Sequence, residues 1–327
     1  MLNLLFKKNS ALLSFLLFFS SCNSLKLEPD TWNKFPITIH SLSLFNQQID
    51  TMERVTESWR GDWFLRRKRL SLVNEEIVKT VPNIILFQEM MKKTGNPFDS
   101  DSSILERSSL ENYDSFLDEY KLHKATGEKE FSGSYLRFDI GIEMSHLEKR
   151  LMWDLGNSGY LTFQKILIQG VPLYIFNINM PREDHNPLQS LFFIKSQIQK
   201  ALKNEEKCYN NIVVGGYFNP KIRDKDLNDF LLSLNLIDTV VACSSSEPCF
   251  TQAPSNPLFN SSSLVNEFKR ADRIFVHNST KILSSHVVYK KTHKAPLNFK
   301  QKYKLHNLNP SLRFGWETEV QFSKCYK

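Results

Sequence analysis

The stretch VVGGYFNP, residues 213–220, reads as an apolar strand running into a tight turn that presents polar side chains at its end. A Gly-Gly-x-Phe-Asn turn makes chemical sense with Asp at x. An Asp and an Asn two residues apart at a strand end can grip a metal, a water or a phosphate together. Here x is Tyr217, with Asn219 following.

Apolar runs of strand length recur on both sides of this stretch, at 37–45, 83–89, 136–144, 160–168, 171–179, 211–216, 273–277, 286–289 and 316–322. Gln169-Gly170, between two of them, is a hairpin signal. Helical patterns lie between the runs. Asp62 can cap a segment reaching Lys79, with Leu70, Val73 and Ile77 at helical spacing. A second helix is expected over 188–202, where Leu191, Ile194, Ile198 and Leu202 line one face. A third is expected over 226–234. Strands alternating with helices, but with hairpins among them, predict mixed sheets under covering helices rather than a purely parallel sheet. The sequence shows no internal repeat and no low-complexity linker.

With 327 residues the chain can form one domain of about 250–300 residues or two smaller ones. Its formal charge of +7 is mildly basic, is spread among acidic neighbours, and says little by itself about nucleic acid. The first 22 residues differ from the rest. Lys7 and Lys8 precede the apolar run 11–19, then Ser20, Ser21 and Cys22, which is the layout of a signal peptide ending at a cysteine. Small residues before a cysteine resemble a bacterial lipobox, in which the thiol is lipidated and the peptide is cut just before it. Residues 1–21 are therefore read as a leader, Cys22 as the lipidated residue, 22–35 as a tether and 36–327 as the folded domain. The chain is expected to be exported and anchored by lipid to a bacterial membrane or cell surface. Plain secretion is the alternative, because Phe19 stands where a lipobox usually has Leu.

Four further cysteines, Cys208, Cys243, Cys249 and Cys325, would then meet an oxidising compartment. Cys243 and Cys249 flank a loop-like segment that can close on itself. Four cysteines allow three pairings, and the sequence does not choose among them. None has the spacing of a metal site.

Polar residues stand at strand ends in one order: Ser43, Gln88-Glu89, Asn179, Tyr217 with Asn219, Asp272, and Ser311-Leu312-Arg313. In this order the chain resembles the endonuclease/exonuclease/phosphatase superfamily, and within it the bacterial neutral sphingomyelinases, over roughly residues 36–322. The resemblance implies a deoxyribonuclease-like four-layer α/β sandwich, with two mixed β-sheets flanked by helices. It also implies that Ser43 stands at a metal-binding Asn and that Glu89 is the matched metal ligand. Asn179 stands at a His, and Glu183-Asp184 match the acidic pair that follows in sphingomyelinases. Asn219 is retained while Tyr217 replaces Asp. Arg270 and Asp272 match an Arg-x-Asp motif, and Leu312-Arg313 stand at a catalytic Asp-His pair.

Enzymes of this superfamily are understood to cleave phosphoesters with a water that an Asp and a His activate, while Mg²⁺ and a second His stabilise charge on phosphorus. A phenol ionises only near about pH 10 and brings neither the charge nor the basicity of Asp. Leucine cannot orient a base, and a guanidinium accepts no proton. General acid–base groups contribute about 10²–10⁴ in rate, and groups that act as a unit fail together. The resemblance therefore implies a non-catalytic binding module with no bound cofactor. The alternative is a divergent Mg²⁺-dependent phosphodiesterase or phosphatase, and a weaker one is a non-cleaving nucleic-acid binder. If Arg313 projects into the cleft, its guanidinium is expected to pair with Glu89 or Asp272; otherwise it reaches solvent.

Structural readings stand beside these. Glu89 can be a strand-end ion-pair partner, Asn219 a turn cap, Arg270 and Asp272 partners within the fold, and Glu183-Asp184 a solvated loop. His185 is the histidine nearest the altered Asn179. The segment 289–307 is basic with interleaved aromatics, and Lys290, Lys291, Lys294, Phe299, Lys300, Lys302 and Lys304 are its expected surface contacts. Its place before the last motif resembles the membrane-contacting hairpin of sphingomyelinases. The expected partners are a membrane through the lipid anchor, and a phosphate-bearing lipid or a surface ligand.

Overall fold

The computed structural model describes residues 36–44, 63–93, 105, 109–111, 113–123, 128–137, 144–156, 159–168, 171–181, 186–203, 205, 209–243, 249–251, 270–290, 293–294, 307–308 and 315–322. These belong to the unit Pro36–Lys327.

Elements follow in chain order as β1 (Ile37–Ser43), α1 (Trp63–Thr80), β2 (Ile84–Lys93), β3 (Tyr113–His123), β4 (Glu128–Arg137), β5 (Met144–Gly156), β6 (Gly159–Ile168) and β7 (Val171–Asn179). Then come α2 (Pro187–Leu202), β8 (Ile212–Tyr217), α3 (Asp224–Ser233), β9 (Leu236–Asp238) and a 3₁₀ turn (Thr239–Ala242). The chain continues through β10 (Asp272–His277), β11 (Lys281–Val288), β12 (His293–Lys294), β13 (Asn307–Leu308) and β14 (Gly315–Gln321).

Two six-stranded mixed sheets result, in the orders β11-β14-β1-β2-β4-β3 and β5-β6-β7-β8-β10-β9. Each has one parallel pair near its centre, β1 with β2 and β7 with β8, and antiparallel neighbours elsewhere. The parallel pairs are spanned by α1 and α2, since parallel neighbours need a long crossover. Side chains alternate along β1. His40, Leu42 and Leu44 face α1, whose Leu70, Val73 and Ile77 are buried against them with Phe87, Tyr135 and Tyr289. Burying each such aliphatic side chain stabilises by about 1.5–3 kcal/mol. The far side of the second sheet is covered by Leu191, Ile194 and Ile198 of α2 and Leu227 and Phe230 of α3. Asn186 caps α2 by accepting from Gln189 N, with Pro187 opening the helix.

The two inner faces meet through polar and close contacts. Gln88 Nε2 donates to Asn177 Oδ1 at 2.8 Å, and Asn177 Nδ2 donates to Phe87 O at 3.1 Å. A Cβ at Gly215 would lie 2.5 Å from Leu86, so glycine there lets the sheets approach. Gly216, at φ +135°, occupies a conformation that side chains rarely adopt. The double glycine of the opening stretch thus has two causes, the close approach of the sheets at Gly215 and the positive φ at Gly216.

The hairpin of residues 159–179 forms as expected, with Ile168 opposite Val171. The strand expected over 136–144 is not one element. Leu136 and Arg137 end β4 in the first sheet, and Met144 begins β5 in the second. The third helix begins at Asp224 rather than 226, with Arg223 at the cap paired to Asp226 at 2.7 Å. The strand expected over 286–289 starts earlier, at Lys281. Cys243 and Cys249 form a disulfide.

Candidate functional site

Both parallel pairs end at one place. Ser43 closes β1, and its partner in β2 is Gln88; Asn179 closes β7, and its partner in β8 is Tyr217. Tyr217 is in turn paired with Asp272 at the start of β10. Carboxyl ends of parallel strands are where open α/β sheets place their sites.

Local backbone shapes this end of β2. Pairing with β4 shifts register between Phe87 and Met90, and Glu89 takes φ +57°, a left-handed conformation uncommon outside glycine. The irregularity gives two consecutive residues inward work. Gln88 reaches Asn177 in the opposite sheet, and Glu89 Oε2 accepts from the Ser43 hydroxyl at 2.6 Å. The Ser43 N–H donates to Asp272 Oδ1 at 3.1 Å. One serine therefore touches two carboxylates, one from each sheet. Arg69 of α1, itself buried, donates to Leu44 O and fixes the strand end beside Ser43.

Ser43, Glu89, Asn179, Tyr217, Asn219 and Asp272 are all no more than 3% exposed. Tyr217 belongs to the core cluster that contains Met180, Phe218 and Phe275, so its ring adds apolar packing. Asn219 is committed at both ends: Nδ2 donates to Pro181 O at 2.8 Å, and Oδ1 accepts from Lys221 N at 3.0 Å. Its side chain ties the turn after β8 to the end of β7. Arg270 serves the fold, since it and Arg273 pair with Asp238 at 2.6 and 3.0 Å. Lys290 and Lys294 are exposed. Cys22, Cys208, Cys325, Glu183, Asp184, His185, Leu312, Arg313, Lys291, Phe299, Lys300, Lys302 and Lys304 lie outside the described residues.

No protein-family model matches the sequence, and no curated protein sequence matches it. Solved structures do match. An endonuclease/exonuclease/phosphatase family protein from Bacteroides thetaiotaomicron superposes with a TM-score of 0.63 at 17% identity, covering 88% of this chain and 98% of its own. A mannosyl-6-phosphatase from the same organism gives 0.61 at 16% identity, covering 87% and 99%. TDP2 from Caenorhabditis elegans gives 0.61 at 14% identity, covering 93% and 81%. The fold is that of the endonuclease/exonuclease/phosphatase proteins.

The sequence resemblance implies Mg²⁺, which demands near-octahedral oxygen ligands. The described donors do not fit it. The Ser43 hydroxyl donates to Glu89 instead of offering an amide oxygen, and the Asn219 oxygen is engaged by Lys221 N. Among the described residues no group of three or more His, Cys, Asp or Glu is placed to hold a metal.

Sequence reasoning missed Thr251, whose hydroxyl oxygen accepts from both Ala271 N and Asp272 N at 2.9 and 3.0 Å. It also missed a polar cluster on the outer face of β1. There Glu317 accepts from His40 Nε2 and, at 3.0 Å, from His286 Nε2, while His40 Nδ1 is hydrogen-bonded to the Tyr289 hydroxyl at 2.9 Å. Burial alone would raise the Glu317 carboxyl, but its two imidazole partners outweigh that and hold it at about 2. Burial pushes the Tyr289 phenol up, and Glu76 and Glu317 add to the effect. The cross-strand pairs His40–Glu317 and Glu317–His286 assemble this cluster from residues far apart in sequence.

Proposed function

We propose that the protein is an exported lipoprotein, anchored at Cys22, that uses a sphingomyelinase-like scaffold as a binding module and does not cleave phosphoesters. Its ligand class is a phosphate-bearing lipid or surface molecule, met at the cleft and along the basic segment 289–307. The observation that carries this reading is the Ser43–Glu89 hydrogen bond. It engages Oε2 of the carboxylate that a working site needs for a cation, in a cluster whose position 217 is a buried tyrosine. Leu312 and Arg313, standing where the resemblance places an Asp-His pair, supply no base.

A second reading, a divergent hydrolase, draws on one observation. Glu89 keeps a left-handed backbone, and strain of this kind gathers at functional sites. The deciding experiment assays the purified protein with Mg²⁺ on sphingomyelin, DNA and a chromogenic phosphodiester. Turnover is expected to equal that of Glu89→Ala. Mg²⁺-dependent turnover that Glu89→Ala abolishes overturns the binding-module reading. Reinstating Tyr217→Asp with Leu312→Asp and Arg313→His then asks whether a usable cleft survives.

A further inference from the structure

Asp272 is held from two directions. Its carboxylate takes the Ser43 N–H, and its own N–H, with that of Ala271, is taken by Thr251 Oγ1. Ala271 O accepts from Phe218 N at 2.8 Å, so the same short run also positions the turn after β8. Thr251 is fully buried, and only Phe250 separates it from Cys249. Cys249 is bonded to Cys243, which is fixed where the edges of the two sheets meet: it follows the 3₁₀ turn after β9 and makes a parallel bridge to Ser285 of β11. That seam is firm. Trp316 Nε1 donates to Thr239 Oγ1 at 2.9 Å, and Thr239 Oγ1 donates to Ile274 O at 3.0 Å.

We propose that the Cys243–Cys249 disulfide is a redox-sensitive staple that, through Thr251, holds Asp272 and hence Ser43 in the candidate site. This rests on reading that cluster as the binding site. The physical reason is entropy. A covalent tie two residues away lowers the conformational freedom that the hydrogen bonds of Thr251 must otherwise overcome. Both cysteines are only half-buried, so an external dithiol can reach them. One thiolate of the dithiol attacks a protein sulfur and its second thiolate resolves the mixed disulfide. Two electrons pass to the protein, Cys243 and Cys249 end as thiols carrying the two protons, and the dithiol ends as a disulfide. Reduction then frees residues 249–251, and with them the groups that fix the Ala271 and Asp272 amides.

The test is amide hydrogen exchange on the full-length, ligand-free protein, so its outcome does not depend on whether the cleft binds phosphate. Four forms are compared with the oxidised protein: dithiothreitol-reduced, Cys243→Ser with Cys249→Ser, Thr251→Val and Thr251→Ser. Reduction and the double serine variant are expected to speed exchange at Ala271, Asp272 and Ser43 by about tenfold or more, as local opening does, while strands β6 and β7 keep their rates. Thr251→Val is expected to do the same at Ala271 and Asp272, and Thr251→Ser to restore protection. Unchanged rates at these amides after the thiol count shows the disulfide open would overturn the proposal. So would a uniform rise in every strand, which signals only a less stable fold. The double serine variant separates this bond from any effect of reducing Cys208 or Cys325.

Discussion

Strand β1 carries two buried polar clusters, one on each face, and they are built on opposite logic. On the outer face, under α1, Glu317 lies between His40 and His286, so acid meets base. On the inner face Ser43 draws two acids, Glu89 and Asp272, to itself, and Glu89 is left-handed. The first arrangement is what a fold uses to bury a charge at low cost. The second brings like groups together on strained backbone, which a fold built for stability alone has no reason to keep. On the proposed reading, the outer cluster serves stability and the inner one serves binding.

The sharpest break comes from removing the outer acid. Glu317→Ala removes two hydrogen bonds from imidazoles to one carboxylate, each worth about 1.5–3 kcal/mol, and leaves the buried His40 without its acceptor, to be read as a lower midpoint in urea. Glu317 also sets an acid limit. Its carboxyl titrates at about 2 in the folded protein against an ordinary 4.5. The group therefore stabilises fully above its unfolded value, and the contribution, on the order of 3 kcal/mol, is lost as pH falls from about 4.5 towards 2. Urea midpoints measured across that range should fall steeply for the wild type and more gently for Glu317→Ala. Equal slopes would mean that the outer cluster does not hold its charge by the imidazoles.

The two clusters were unequally legible in the sequence. The inner one was visible, because its residues sit at the ends of apolar runs such as 37–45 and 211–216, and a strand end marks its own position. The outer one was not. His40 and Glu317 are 277 positions apart and meet only through the register of β14 on β1. Thr251 was hidden for the same reason, since its partners lie twenty residues on, at Ala271 and Asp272. Strand β3 and most of β4 and β5 are not legible in the sequence, because stretches such as YDSFLDEYKLH and EKEFSGSYLR interleave charges with apolar residues and give no sustained apolar run; the run 136–144 touches only the end of β4 and the start of β5. Of these, β3 and β5 are edge strands, where such composition is common.

A smaller effect is expected on the inner face. Ser43→Ala deletes the hydroxyl that donates to Glu89 but keeps the backbone N–H that donates to Asp272. Losing one hydrogen bond to a charged group costs about 1.5–3 kcal/mol, so the loss should fall below that of Glu317→Ala when both are measured by urea unfolding. A larger loss at Ser43 would move the stabilising role to the inner face and reverse the assignment.

The finest test compares two replacements of one residue. Glu89→Ala and Glu89→Gly both delete the carboxylate and its bond to Ser43, so that cost cancels between them. They differ in backbone. Alanine must still hold φ near +57°, which costs an L-residue about 1–2 kcal/mol, whereas glycine adopts it freely. Glycine also gives the unfolded chain more freedom, which offsets about 0.4–1 kcal/mol of that gain. At an unstrained strand position the order would be reversed, with alanine the more stable. Glu89→Gly more stable than Glu89→Ala, even by a few tenths of a kcal/mol in the urea midpoint, therefore shows that the turn of backbone at the end of β2 is strained. Should alanine come out ahead, the carboxylate sits on relaxed backbone, and the case for strain held at a functional site is lost.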